Sequence, residues 1–240
     1  ENMREQHRKL MEERKAKEKE NGMVAISAGE GLNQVFKDLA VDAIVTGGQT
    51  MNPSAMDIEK AIKRACARNV YVMPNNKNII MAAQQAKELV ERDSPIKVFV
   101  IGTTSITQGV SAAIAFDPNG TPEENVEAME TAAHSVQSGS VTYAVRDTTT
   151  SGHEIHEGDI MGMCEGDLIA NGRDLDGVTF ELVENMMGED GDYVTMFYGE
   201  DVTQEQAEAL GARLEERYPD ADVVIQAGGQ PLYYYFISVE

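Results

Sequence analysis

The sequence predicts an α/β protein: a parallel, doubly wound βα unit followed by a smaller α+β unit. Three observations carry this. Four short apolar runs, Met23–Ile26, Ala43–Val45, Val70–Met73 and Val98–Ile101, are continuous rather than alternating, as strands covered on both faces are. Helix-length stretches separate them, which leaves room for right-handed crossovers. After the turn signal Asp117-Pro118-Asn119-Gly120 the rhythm changes to helices and hairpin-like strands.

Taken in order, residues 1–22 read as a solvated helical connector. They are almost all polar, mix both charges at i,i+3 and i,i+4 spacing, and end on Asn21-Gly22. Residues 23–118 form the parallel unit, with helices expected over about 30–40, 54–68, 77–92 and 106–116. Ser54 is placed to cap the second of these. Residues 119–240 form the α+β unit. Thr121-Pro122-Glu123-Glu124 is a capping box with proline at the first helical position, opening a helix to about 137. Val141–Val145 reads as a strand, and Ile160–Cys164 with Asp167–Ala170 as a hairpin. A helix near 176–187 and strand Tyr193–Tyr198 follow. Thr203-Gln204-Glu205-Gln206 starts a helix to about 217, and Val223–Ile225 and Tyr233–Val239 close the chain.

The charge balance narrows the function classes. The chain of 240 residues carries 20 Lys+Arg against 41 Asp+Glu, a net charge of −21. Nucleic-acid or anionic-membrane binding needs clustered cations, so neither is expected. The asymmetry is strong: residues 1–110 hold sixteen basic and fourteen acidic groups, and residues 111–240 hold four and twenty-seven. Two units with different neighbours are expected, and the acidic half would steer a partner bearing a basic patch through a contact that weakens as salt rises. The two cysteines, Cys66 and Cys164, lack CxxC spacing and read as reduced thiols of a cytoplasmic protein. No apolar run is long enough for a membrane span. The chain opens on Glu1 and reads as part of something longer.

In an open parallel sheet, ligands bind outside the carboxyl ends of the strands. The four loops there are small, polar and glycine-bearing: Ser27 to Gly31, Thr46 to Ser54, Pro74 to Asn78, and Thr103 to Gly109. Their candidate ligand residues are Ser27, Gly29, Gly47, Gly48, Gln49, Thr50, Asn75, Asn76, Thr103 and Thr104, an anion cradle of backbone N–H, hydroxyl and amide groups. Ordinary turn and cap chemistry selects the same residue types. No nucleophile–base constellation, nucleotide loop or metal-ligand spacing is present, and His153-Glu154-Ile155-His156 lacks a third ligand. The last segment gathers four of the fourteen aromatics, Tyr233 to Phe236, behind Gly228-Gly229-Gln230-Pro231. As a regular strand it would put Tyr233, Tyr235 and Ile237 on one face and Tyr234 and Phe236 on the other. Gln230, Tyr233, Tyr234 and Tyr235 are the candidate partner-binding residues, since Tyr is enriched at interfaces.

Several of these segments together resemble the C-terminal region of the FakA-type bacterial fatty acid kinases, a family with a dihydroxyacetone-kinase-like domain at its N-terminus. They are Glu1 to His7, Asp42 to Val45 leading into Gly47-Gly48-Gln49-Thr50-Met51-Asn52-Pro53-Ser54, Pro74-Asn75-Asn76-Lys77-Asn78-Ile79-Ile80, and Gly228 to Glu240. The resemblance covers essentially the whole chain. It implies that ATP and magnesium belong to an upstream kinase domain and that this region holds no cofactor. It implies a non-catalytic module that engages a DegV-like subunit carrying a fatty acid, whose carboxylate is phosphorylated, and allows homodimers formed through the parent protein. The region is also similar to the DegV fold itself. It differs in carrying Asn75-Asn76-Lys77 where DegV proteins have Ser-Gly-Thr, and in lacking a histidine near Gly228 to Pro231. That difference implies a scaffold that kept the fold without the lipid; the alternative is a lipid- or anion-binding module using the polar loops.

Overall fold

The structure is a computed structural model that describes residues 2–47 and 52–240. A polar helix α1 (Asn2–Lys17) with no buried residue leads into β1 (Lys19–Ser27). Then follow α2 (Glu30–Asp38), β2 (Ala43–Thr46), α3 (Ala55–Arg64), β3 (Ala67–Met73), α4 (Ile80–Asp93), β4 (Lys97–Val100) and α5 (Ile106–Ala115). The four strands make one parallel sheet in the order β2-β1-β3-β4. Helices cover both faces. Val24 and Ile26 of β1 join the cluster under α3 and α4, while Met23 and Ala25 join the cluster under α2 and α5. The unbroken apolar runs are this two-sided burial written in sequence.

The connector corrects the expectation for residues 18–22. The helix stops at Lys17, and Asn21-Gly22 lies inside β1, paired with Asn69 and Val70. Asn21 is 2% exposed. Its amide donates to the carbonyls of Pro118 and Gly120 at 3.0 and 2.9 Å and its oxygen accepts from the Tyr71 hydroxyl at 3.0 Å. A residue pair that usually marks a turn is here held extended by distant partners.

Beyond the turn come α6 (Pro122–His134), β5 (Gln137–Tyr143), β6 (Thr148–Thr150), β7 (His153–Ile155), β8 (Ile160–Cys164), β9 (Asp167–Gly172), α7 (Leu175–Met187), β10 (Tyr193–Tyr198), α8 (Gln204–Arg217), β11 (Asp222–Ala227) and β12 (Tyr233–Val239). Capping boxes at Ser54, Thr121 and Thr203 start α3, α6 and α8. Asp174, in a cluster that resembles a fragment of a calcium loop, is instead the N-cap of α7, accepting from the Gly177 N–H at 3.1 Å. Six strands form a mixed sheet in the order β11-β10-β12-β5-β8-β9. The second unit is therefore the larger by strand count, six against four, where a smaller one was expected. Strand β5 begins four residues before the expected Val141, because Ser138-Gly139-Ser140 pairs with β12 and β8 despite its weak strand propensity. A side chain at Gly139 would meet the Met186 sulfur at 2.6 Å, so α7 packs directly on this stretch.

Aromatic side chains join the two units. Phe197 of β10 and Phe236 of β12 pack into the same cluster as Met23, Tyr71, Met73 and Ile101 of the parallel sheet and its edge. A bulge at Tyr234 corrects the expected alternation: Tyr233 pairs with Thr142, whereas Tyr235 pairs with its neighbour Val141. The extra residue turns Tyr233 to the face of Phe236, with ring centroids 4.9 Å apart, while Tyr235 and Ile237 enter the core beneath α7.

Tyr235 is fully buried and its hydroxyl has no partner among the described residues. Burial pushes that phenol well above the ordinary tyrosine range. The unfolded chain loses this proton near pH ~10 and the folded chain keeps it to higher pH, so stability is fully present below about pH 10 and falls as pH rises past it. Tyr235→Phe is expected to raise stability by about 1 kcal/mol at neutral pH. It is also expected to flatten the alkaline loss; urea midpoints measured from neutral pH to beyond the tyrosine range check both.

Candidate functional site

The carboxyl edge of the parallel sheet faces the second sheet across a cleft of about 400 Å³. The floor is built around Asn75, which adopts the left-handed conformation (φ 59°). Its N–H donates to the Thr103 hydroxyl at 3.0 Å and its amide donates to the Ile26 carbonyl at 2.8 Å. One side chain thus ties together the ends of β1, β3 and β4. Asparagine tolerates this backbone because its short amide satisfies nearby groups. Gly109 of α5 makes room, since a side chain there would overlap the Asn75 amide.

The wall comes from the start of α5. Ser105 caps the helix by accepting from the Gln108 N–H at 3.1 Å, and Thr104 donates through its N–H and hydroxyl to the Gln108 side chain at 2.7 and 3.1 Å. The Ser105 and Thr107 hydroxyls each lie 2.8 Å from the Ser138 hydroxyl and 3.2 Å from each other. This ring of three hydroxyls links the first unit to β5. Across the cleft stand Ser140, Met163, Glu165, Tyr233 and Phe236. The Glu165 carboxylate accepts from the Ser138 N–H at 2.6 Å. Burial raises the Tyr233 phenol above its usual range. Lys77 supplies the cation of the lining and Glu165 the carboxylate, and no histidine or cysteine is among the lining residues. The arrangement offers hydroxyls, amides and one charge of each sign: recognition chemistry without a nucleophile–base pair.

The structure separates the residues that the sequence grouped. Asn75, Asn76 and Thr104 line the cleft, and Thr103 is fully buried behind Asn75. Ser27, 1% exposed, borders a neighbouring crevice of about 10 Å³ with Asn75 and Asn76. Gly29 lies under the C-terminal loop, where a side chain would meet the Gly228 carbonyl oxygen at 2.6 Å and the Gln230 nitrogen at 2.7 Å. Gly47 borders a different depression with Asn52, Asp57, Lys60 and Arg64. Gly48, Gln49 and Thr50 lie outside the described residues. The four loops therefore do not form one cradle: the loop after β1 is covered by Gly228 to Gln230.

The candidate partner residues divide as well. Gln230 is fully buried, its amide donating to the Phe197 carbonyl at 2.9 Å, and Tyr235 is equally buried, so neither side chain is presented on the surface. Tyr233 lines the cleft, and Tyr234 is half-buried against Tyr143, 6.0 Å between centroids. Ser105, Thr107, Ser138, Lys77, Glu165 and Phe236 join the cleft as residues that motif reasoning passed over. The small run Ser138-Gly139-Ser140 at the start of a strand is the signal that pointed to them.

A doubly wound parallel sheet joined across such a cleft to a mixed sheet defines a DegV-like protein. A DegV family protein from Corynebacterium glutamicum superposes with a TM-score of 0.68 at 15% identity, covering 92% of this chain and 98% of that one. A Streptococcus pneumoniae fatty acid kinase B3 protein loaded with linoleic acid gives 0.63 at 14% identity over 92% and 99%. The chain belongs to the FakA-like C-terminal family of fatty acid kinases, whose model matches residues 22–240. Protein YloV of Bacillus subtilis is 42% identical over 248 residues; the match takes in the whole of this chain and 44% of that protein. The chain thus spans less than half the length of the curated relatives it matches.

Proposed function

We propose that this chain is the non-catalytic C-terminal module of an ATP-dependent fatty acid kinase. It recruits a DegV-like subunit carrying a fatty acid and orients the acyl carboxylate toward a kinase domain. On this reading ATP and magnesium belong to that domain, outside this chain, and the module contributes to rate by proximity. Family membership supports the assignment to the kinase. The observation that carries the division of labour is the filled interior between the sheets. Met23, Tyr71, Met73, Ile101 and Phe197 are each no more than 1% exposed, and Phe236 is 7% exposed. A fatty acid needs a long apolar slot, and here side chains occupy the space next to the polar cleft.

A second reading, an anion- or lipid-binding module, is favoured by the grouping of Asn76, Lys77 and Thr104 at the cleft. One experiment separates the two. The purified chain is titrated calorimetrically with a DegV-like subunit loaded with linoleate, ATP absent, and native mass spectrometry records any co-purified acyl ligand. Saturable binding with an empty module is the expected result. No binding, together with an acyl ligand in the chain itself, overturns the recruiting role in favour of the second reading.

A further inference from the structure

From β1 onward, the large apolar side chains left in solvent are few among the described residues: Met56 (60% exposed), Met81 (73%), Ile114, Val145 and Tyr193. Ile114, Val145 and Tyr193 stand on separate elements. Met56 and Met81 do not: each is the second residue of its helix, and α3 and α4 pack side by side with both helices starting at the carboxyl edge of the parallel sheet. Lys60 follows Met56 by one turn of α3, and Lys77 precedes Met81 by four residues; both are exposed. Asp57, an acid of the same edge, turns its carboxylate back onto the Ser54 N–H and hydroxyl at 3.0 and 2.9 Å. In a chain of net charge −21, two exposed methionines flanked by exposed lysines are the opposite of the general surface. Methionine is enriched at interfaces and adapts to the shape it meets.

We infer that this edge, marked by Met56, Lys60, Lys77 and Met81, is the docking surface for the fatty-acid-carrying subunit, and that the partner presents an apolar patch rimmed by Asp or Glu carboxylates. The inference rests on the recruiting role proposed above. It places contact on the near-neutral half of the chain, beside the mouth of the cleft that Lys77 lines, and it reverses the partner charge suggested by the acidic half. The burial of Gln230 and Tyr235 leaves the C-terminal tyrosine strand less available for the same task.

The test titrates the 240-residue chain and its variants with the linoleate-loaded DegV-like protein in low and high salt. Met56→Glu/Met81→Glu is expected to weaken binding at least tenfold. Lys60→Glu/Lys77→Glu is expected to weaken it at low salt and to reduce its salt dependence. Ile114→Glu, on a separate exposed site, is expected to bind within twofold of the parent. All sites are exposed, and circular dichroism reports whether each variant folds. If the parent binds and the methionine variant binds equally well, this surface is wrong while recruitment stands. If lysine reversal strengthens binding, the partner face is basic and the inference fails. If the parent chain does not bind at all, the recruiting role falls, and the docking surface with it.

Discussion

Gly31→Ala is expected to destabilise the protein by about 3 kcal/mol, a loss at the upper end for overpacking by one methyl group. An added Cβ would overlap the Ala227 carbonyl oxygen and lie 2.7 Å from the Ala227 carbonyl carbon and 2.9 Å from the Gly228 carbonyl carbon. These are main-chain atoms at the end of β11, so no rotamer change relieves the clash. The same stretch is where the Leu32 N–H donates to the Gly228 carbonyl at 3.0 Å, tying the start of α2 to the C-terminal loop. Separating them would expose part of the seam that joins the two units. Urea unfolding monitored by circular dichroism measures the loss. A variant within about 0.5 kcal/mol of the parent, the range of ordinary surface substitutions, would show that the seam contributes little.

Asn21→Leu is expected to cost about 3 kcal/mol as well, through polar satisfaction rather than volume. The substitution leaves the carbonyls of Pro118 and Gly120 and the hydroxyl of Tyr71 without the amide they share. Each unpaired buried group costs about 1–3 kcal/mol, and relaxation around an exposed turn keeps the total below their sum. The contrast is Asn119→Ala in the same turn, which is exposed and expected to change stability by less than about 0.5 kcal/mol. Equal midpoints for the two variants would overturn the role assigned to Asn21. The prediction also carries topology: Asn21 fastens the first strand to the turn that closes the parallel unit, so its loss is felt by the boundary as well as the sheet.

Much of this fold is written locally. The two-sided burial of the parallel strands demands unbroken apolar runs, and those runs stand at Met23–Ile26 and Val70–Met73. Helix starts depend on a side chain three residues away, so Ser54, Thr121 and Thr203 were legible as caps. Strands β10 and β12 fall on the expected residues because aromatic and β-branched runs bounded by turn residues need no distant help. Half of the cleft was equally legible: loops at the carboxyl edge of a parallel sheet must converge, and Asn75, Asn76 and Thr104 do.

The rest depended on contacts between segments far apart in sequence. The opening Asn21-Gly22 is a turn signal that distant carbonyls and Tyr71 hold inside a strand. One bulged residue at Tyr234 decides which tyrosine faces the cleft and which enters the core, and no local pattern announces it. The loop after β1 has the chemistry of a ligand cradle, yet Gly228 to Gln230 cover it. The cleft's far wall, Ser138 with Glu165, comes from strands that reach the parallel sheet only when the second sheet folds onto it. The sequence by itself determined the elements, the doubly wound sheet and the loops that must meet at its edge, because burial period, caps and turns are local physics. Tertiary structure alone decided which of those loops stay open, because closing a site takes a main chain from elsewhere in the molecule, and its arrival depends on packing between units.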